Sequence, residues 1–388
     1  MTSRRDFLKL AALFSTAGSL PLLQACGQRQ AAEADAPLRI GYLPITDATP
    51  LLVAHAEGLF AKNGVEVEKP VLFRSWASLV EAFLSGQVNL IHLLSPMSIW
   101  ARYGSASPIK VVMWNHMAGS ALTVAPDIAN IAGLGGKTVA IPFWYSIHHV
   151  VLQTILREHG LKVVEKNPQA GEVKLSVMAP SDMVAALANR AIAGFIVAEP
   201  FNAVAEAKGV GKVLRFSGDV WRDHACCVTL MQEHDIARRP EWVQNVVSAL
   251  VEGQAWAAGH RADTALMLSK QGPHKYTPHE DKVLQNVLAP APEAWARYTE
   301  SGIIRHPEWH QRRIDFQPYP YPSYTEKLVE MLKETHIAGV NRFLDELSPQ
   351  HVAQDLVDAR FVKQAVEAGQ FQQLFGLSGW TREEMIAV

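Results

Sequence analysis

At 388 residues the chain is long enough for two domains of roughly 150 residues each. Its hydrophobic share of 48% can fill buried cores, and a formal net charge of −2 points to neither nucleic acid nor an acidic membrane surface. Charged residues make up 19% and are scattered, with no long charge block and no low-complexity tract beyond the N-terminus.

The first residues read as a targeting segment and are set aside before fold reasoning. Ser3-Arg4-Arg5-Asp6-Phe7-Leu8-Lys9 resembles the twin-arginine export motif. The apolar stretch 10–23 is broken by Gly18 and Pro21 and is shorter than the ~20 apolar residues of a membrane span. Leu23-Gln24-Ala25-Cys26 then resembles a lipoprotein signal-peptidase box, with Cys26 as the lipidated residue. The alternative is a plain secretory signal with an incidental cysteine. Residues 27–37 are polar and Ala-rich, a tether. Residues 1–26 are thus expected to be a signal peptide and 27–37 a leash, placing the protein on the periplasmic or cell-envelope face. Only Cys226 and Cys227 follow. Adjacent cysteines rarely bridge, so no structural disulfide is expected.

Leu38-Arg39-Ile40-Gly41-Tyr42-Leu43 alternates like a strand, and Pro44 to Pro50 forms a loop with helix-starting residues. Residues 51–60 follow with a helical pattern. The same order returns with a strand at 137–141, the loop Pro142-Phe143-Trp144-Tyr145-Ser146, and a helix over 147–159 ended by Gly160. The second halves repeat as well, since residues 79–88 lead to a buried strand and Pro96, and residues 183–192 lead to another and Pro200. Strand-helix-strand units imply parallel pairing. The expected fold is α/β with two lobes, two parallel or mixed sheets with flanking helices, and a helical C-terminal tail. Lobe 1 is expected over 38–119 plus 229–388, with the tail packing onto it, and lobe 2 over 120–228. Residues 120–124 and 226–231 are candidates for the two hinge crossings.

Open parallel sheets bind ligands beyond the carboxyl ends of their strands, where helix N-termini favour an anion. The loops there offer Thr46 with Asp47, Ser75 with Trp76, and Ser95 in the first lobe. Ser75 is equally a plain capping candidate. Trp76 can wall a pocket and supply an indole N–H, or simply pack. Asp47 suits an anion poorly and is expected to cap or hold its loop. The second lobe offers Trp144, Tyr145, Ser146 and His148, with His149 beside them. Ser146 can cap the helix or share its N–H groups with an oxyanion. Glu199 can anchor a cation or a metal, or cap a neighbouring helix. No catalytic motif stands out, and no cofactor is expected. His224-Ala225-Cys226-Cys227 lacks the spacing of a structural zinc motif. Neighbours in a strand also face opposite ways, so no metal site is expected.

Ile40-Gly41-Tyr42-Leu43-Pro44-Ile45-Thr46-Asp47-Ala48-Thr49-Pro50, followed by Ala56-Glu57-Gly58-Leu59-Phe60, resembles the opening of the nitrate/sulfonate/taurine/bicarbonate group of periplasmic solute-binding proteins. Ser75-Trp76, Ser95-Pro96-Met97, Ala198-Glu199-Pro200-Phe201-Asn202 and Trp221-Arg222-Asp223-His224 extend the resemblance, nearest to the nitrate/bicarbonate branch. It covers most of residues 38–235. It implies a type II periplasmic binding protein fold and a monomer that closes on a small anion and serves an ABC permease and ATPase. It also implies no catalysis, and membrane attachment through the lipid alone. Trp76 matches a pocket tryptophan of that branch. The Ser146–His148 loop matches the oxyanion-facing helix start of the sulfonate branch, but Trp144-Tyr145-Ser146-Ile147-His148-His149 is bulkier, leaving the ligand open. Rival readings are a thiamine-pyrimidine-precursor enzyme or binding protein of the same superfamily, and a sensory lipoprotein without a permease.

Overall fold

The computed structural model describes residues 36–309, 312–339 and 341–388. The signal segment, Cys26 and nearly all of the tether lie outside the described residues. Everything below concerns the unit Pro37–Val388. Among the described residues no helix is long and apolar enough to cross a membrane.

In chain order the strands are β1 (Ile40–Tyr42), β2 (Val71–Leu72), β3 (Leu90–Leu94), β4 (Ile109–Trp114), β5 (Met117–Ala118), β6 (Ser120–Val124), β7 (Lys137–Ile141), β8 (Lys162–Val164), β9 (Glu172–Val177), β10 (Gly194–Ala198), β11 (Lys212–Phe216), β12 (Cys227–Gln232) and β13 (Ile314–Asp315). One sheet has the order β2-β1-β3-β12-β4 and the other β11-β6-β10-β7-β9-β8. Within the first, β1 runs parallel to β2 and β3; within the second, β7 runs parallel to β9 and β10. β1, β3, β6, β10 and β12 are buried at every residue, which explains their apolar runs in place of alternation.

Each sheet also contains one antiparallel strand, and in both it is the strand that follows a crossing. β12 lies antiparallel between β3 and β4, and β6 lies antiparallel between β10 and β11. The two segments expected as hinge crossings are therefore interior strands, paired on both sides. The chain crosses just before each, at residues 115–119 and 217–226. The antiparallel registers have a functional consequence. Cys227 pairs with Leu94 and Ser120 with Ala198, so each crossing ends at the carboxyl end of a parallel strand.

The C-terminal tail packs on both lobes. Helix Pro240–Gly259 lies on helix Thr49–Ala56, so closely that a Cβ on Gly253 would meet the Pro50 carbonyl oxygen at 2.9 Å. A glycine in mid-helix is otherwise unfavourable, and here close approach requires it. Further on, Trp295 and Tyr298 pack against Phe216 of the second sheet with ring centroids 5.2 and 5.0 Å away. The backbone N–H groups of Arg305 and His306 donate to the Asp219 carboxylate.

Candidate functional site

The carboxyl ends of β1 and β3 face the crossings, and the side chains there are buried. Thr46 opens a short 3-10 turn, Thr46–Ala48. Its N–H and its hydroxyl both donate to the Glu199 carbonyl, at 3.0 and 3.1 Å, which bonds the first-lobe loop to a strand end of the second lobe. Glu199 itself accepts from Arg313 at 2.8 Å and from the Ala203 N–H at 3.2 Å. Its carboxylate is thus held by this chain's own arginine and by an N–H in the first turn of helix Phe201–Ala207. Burial pushes Glu199 above the usual carboxylate range against the pull of Arg313.

The helix-starting serines act locally. Ser75 accepts from the Ser78 N–H at the start of helix Trp76–Leu84. Ser146 accepts from the His149 N–H at the start of helix Ile147–Glu158 and donates to the Phe143 carbonyl. Both are N-caps. Ser95 is buried at the start of helix Ser95–Ile99, and its N–H donates to the Cys226 carbonyl. Trp144 accepts from His149 Nδ1 through its carbonyl and packs its ring on that imidazole.

A different set of side chains is left without partners. The Trp76 indole nitrogen, His92 Nδ1, Tyr145 Oη and His148 Nδ1 are buried with no hydrogen bond. Trp76 meets the His92 ring edge-on with centroids 5.5 Å apart. His92 Nε2 receives the Leu43 backbone N–H at 2.9 Å. That nitrogen must be the unprotonated one, so a neutral His92 carries its proton on Nδ1 and is a donor. Burial depresses its pKa to about 3, which keeps it neutral. Trp76 and His92 therefore present two adjacent, unspent N–H donors on the first lobe. On the second lobe, His148 Nε2 lies 2.9 Å from Ser120 Oγ and 3.6 Å from Cys226 Sγ. Tyr145 packs between Trp100 and Phe343. His92, missed at the sequence level, is the one polar residue in the run Leu90-Ile91-His92-Leu93-Leu94, which was its available signal.

Beside these donors sits a cluster of four groups. Asp47, His116, Cys226 and Cys227 bring one donor atom each to within 4.8 Å of one another, and all four are fully buried. Asp47 caps no helix, the first of its two expected roles; its carbonyl accepts from Asn115 at 3.0 Å and its carboxylate lies 3.0 Å from His116 Nε2. Gly119 makes room for His116, because at φ +79° it tolerates what a Cβ, 2.9 Å from the ring, would not. Strand alternation does not separate the two cysteines, because β12 begins only at Cys227 and Cys226 lies on the crossing. Burial alone would lower His116, but the Asp47 carboxylate outweighs it and holds the imidazole up at about 10. The same attraction holds Asp47 below the usual carboxylate range despite burial.

With that geometry in view, the model of the NMT1-like family matches residues 31–269. The chain belongs to that family. Among curated relatives, it is 26% identical over 239 residues to the nitrate/nitrite binding protein NrtA of Nostoc sp., covering 56% of this chain and 53% of that protein. This NMT1-like chain thus spans about half the length of that relative. Among solved structures, the periplasmic nitrate-binding protein NrtA from Synechocystis PCC 6803 superposes with a TM-score of 0.70 at 17% identity, covering 90% of this chain and 93% of that one. The zinc-bound ligand-binding component of an ABC-type import system from Staphylococcus aureus gives 0.65 at 21%, covering 84% and 98%. These likenesses establish the two-lobed binding-protein fold and bear out the resemblance to the nitrate/sulfonate/bicarbonate group.

Proposed function

We propose that this chain is the solute-binding component of an ABC importer and captures a small oxyanion between its lobes. The observation that carries this reading is the adjacent pair of buried, unpartnered N–H donors on Trp76 and His92. Both are neutral and neither accepts at that atom, so the pair suits an anion stripped of water and rejects a cation. Tyr145 and His148 are the corresponding groups on the second lobe, so both lobes would hold the ligand only when closed. The names of the relatives and structural neighbours, a nitrate/nitrite binding protein and a component of an import system, support the same reading. A membrane permease and its ATPase are the implied receivers. Export by the twin-arginine-like signal, anchoring through Cys26 and a monomeric state complete the proposal.

The test is a thermal-shift screen with nitrate, nitrite, bicarbonate, taurine, and alkyl and aryl sulfonates. A ligand that binds only the folded state raises the melting temperature. At least one of these anions should do so, with the shift abolished by Trp76→Ala. A shift that survives this substitution would move the ligand away from Trp76 and His92.

A further inference from the structure

Asp47, His116, Cys226 and Cys227 come from separate parts of the chain: the loop after β1, the first crossing, and the second crossing with the start of β12. Folding brings a carboxylate, an imidazole and two thiols together within 4.8 Å in the fully buried interior. A buried Asp–His pair alone would explain half of this set. It does not explain the bonding. Asp47 Oδ2 and His116 Nε2 approach to 3.0 Å, yet neither they nor Asp47 Oδ1 make an aligned hydrogen bond. Buried charged oxygens without donors are costly, and a cation between these atoms would satisfy all of them. His116 is turned accordingly: Nδ1 lies 3.4 Å from the Met117 carbonyl, and Nε2 faces the cluster. A metal-bound histidine is commonly oriented by this type of outer contact.

The donor types select the ion. Calcium and magnesium require shells of oxygen, whereas thiol sulfur with imidazole suits zinc-like ions. Four protein ligands fill a tetrahedral sphere and leave no open position, which is the form of a structural site. We propose that Asp47, His116, Cys226 and Cys227 form a closed site for a resident, thiophilic divalent ion of the zinc class. On binding, each thiol and the His116 imidazolium gives one proton to solvent, so the sulfurs coordinate as thiolates and Nε2 as a neutral imidazole nitrogen. The ion ties both crossing segments to the Thr46–Ala48 turn, the turn that bonds Glu199 of the second lobe. It therefore fixes the base of the hinge, and it is independent of which solute the cleft captures.

Cobalt(II) reports such a site directly. Purified, reduced full-length protein, stripped of its resident ion with a chelator and shown to be metal-free, is titrated with cobalt chloride and then with zinc chloride. The expected result is a thiolate-to-cobalt charge-transfer band with visible bands of tetrahedral intensity, saturating at one ion per chain and bleached by zinc. Cys226→Ser and Cys227→Ser should each remove the charge-transfer band. If the wild-type protein, with both thiols shown to be reduced, develops no such band, the site does not exist. A band that persists unaltered in both serine variants would equally overturn it. The wild-type titration decides the matter even if the variants fail to fold.

Discussion

His92 acts as a donor only because its other nitrogen is already spent on the Leu43 N–H. Sequence alone showed a histidine in a strand, not which nitrogen was free, and so could not rank it against Trp76. Trp76 could be named as a candidate because a tryptophan beside a helix start can wall a pocket as well as pack. Trp76→Phe keeps the ring and removes the N–H. Loss of one hydrogen bond to a charged ligand is worth about 1.5–3 kcal/mol, so affinity measured by calorimetry should fall by roughly 10- to 100-fold. His149 makes a separate prediction about stability. Burial is the main cause that lowers its pKa to about 4, with its bond to the Trp144 carbonyl opposing. Between about pH 6.5 and 4 the unfolded chain binds a proton that the folded chain refuses, so stability is complete above this window and declines as pH falls through it. Urea unfolding of His149→Gln should show a flatter pH dependence there, by up to about 1.4 kcal/mol per pH unit. An unchanged slope would mean that His149 does not resist protonation.

The strand-helix units could be read as elements because parallel strands buried on both faces leave long apolar runs. What could not be read is that the two strands after the crossings insert antiparallel into the sheets, since pairing is set by distant partners and not by local pattern. That insertion places Cys227 beside Leu94 and hides a convergence of Cys226 and Cys227 with Asp47 and His116 from any spacing rule. Helix starts show the opposite case. Ser146 was a candidate ligand donor, and its hydroxyl is consumed by the His149 N–H and the Phe143 carbonyl. Ser146→Ala should cost about 1 kcal/mol in chemical denaturation and leave solute affinity unchanged; weakened binding would return Ser146 to the ligand. At the contact between helices Pro240–Gly259 and Thr49–Ala56, Gly253→Val should destabilise by about 1–3 kcal/mol, because its side chain would strike the Pro50 carbonyl and Ala54. A melting curve matching the parent would show that the helices can move apart freely.

Across the whole molecule, the tail is what most escaped the sequence. It was expected on the first lobe, but Trp295, Tyr298, Arg305 and His306 also hold the second, and the buried Arg313 joins Glu199 and Glu206. The arginine lies far from Glu199 in sequence, so no motif links them. Arg313→Met leaves Glu199 buried without its cation and should cost about 3–5 kcal/mol. A tail that grips both lobes, together with the Thr46–Glu199 contact, ties the two lobes together in the structure described. In the proposed function a small oxyanion drives the lobes together around Trp76 and His92. Small-angle X-ray scattering of the purified protein, with and without a saturating concentration of the anion that gives the largest thermal shift, tests it most directly. The radius of gyration should fall on adding the anion in the parent protein and remain at its unliganded value in Trp76→Ala. A radius that is unchanged by saturating anion in the parent, or that falls equally in the variant, would contradict the account.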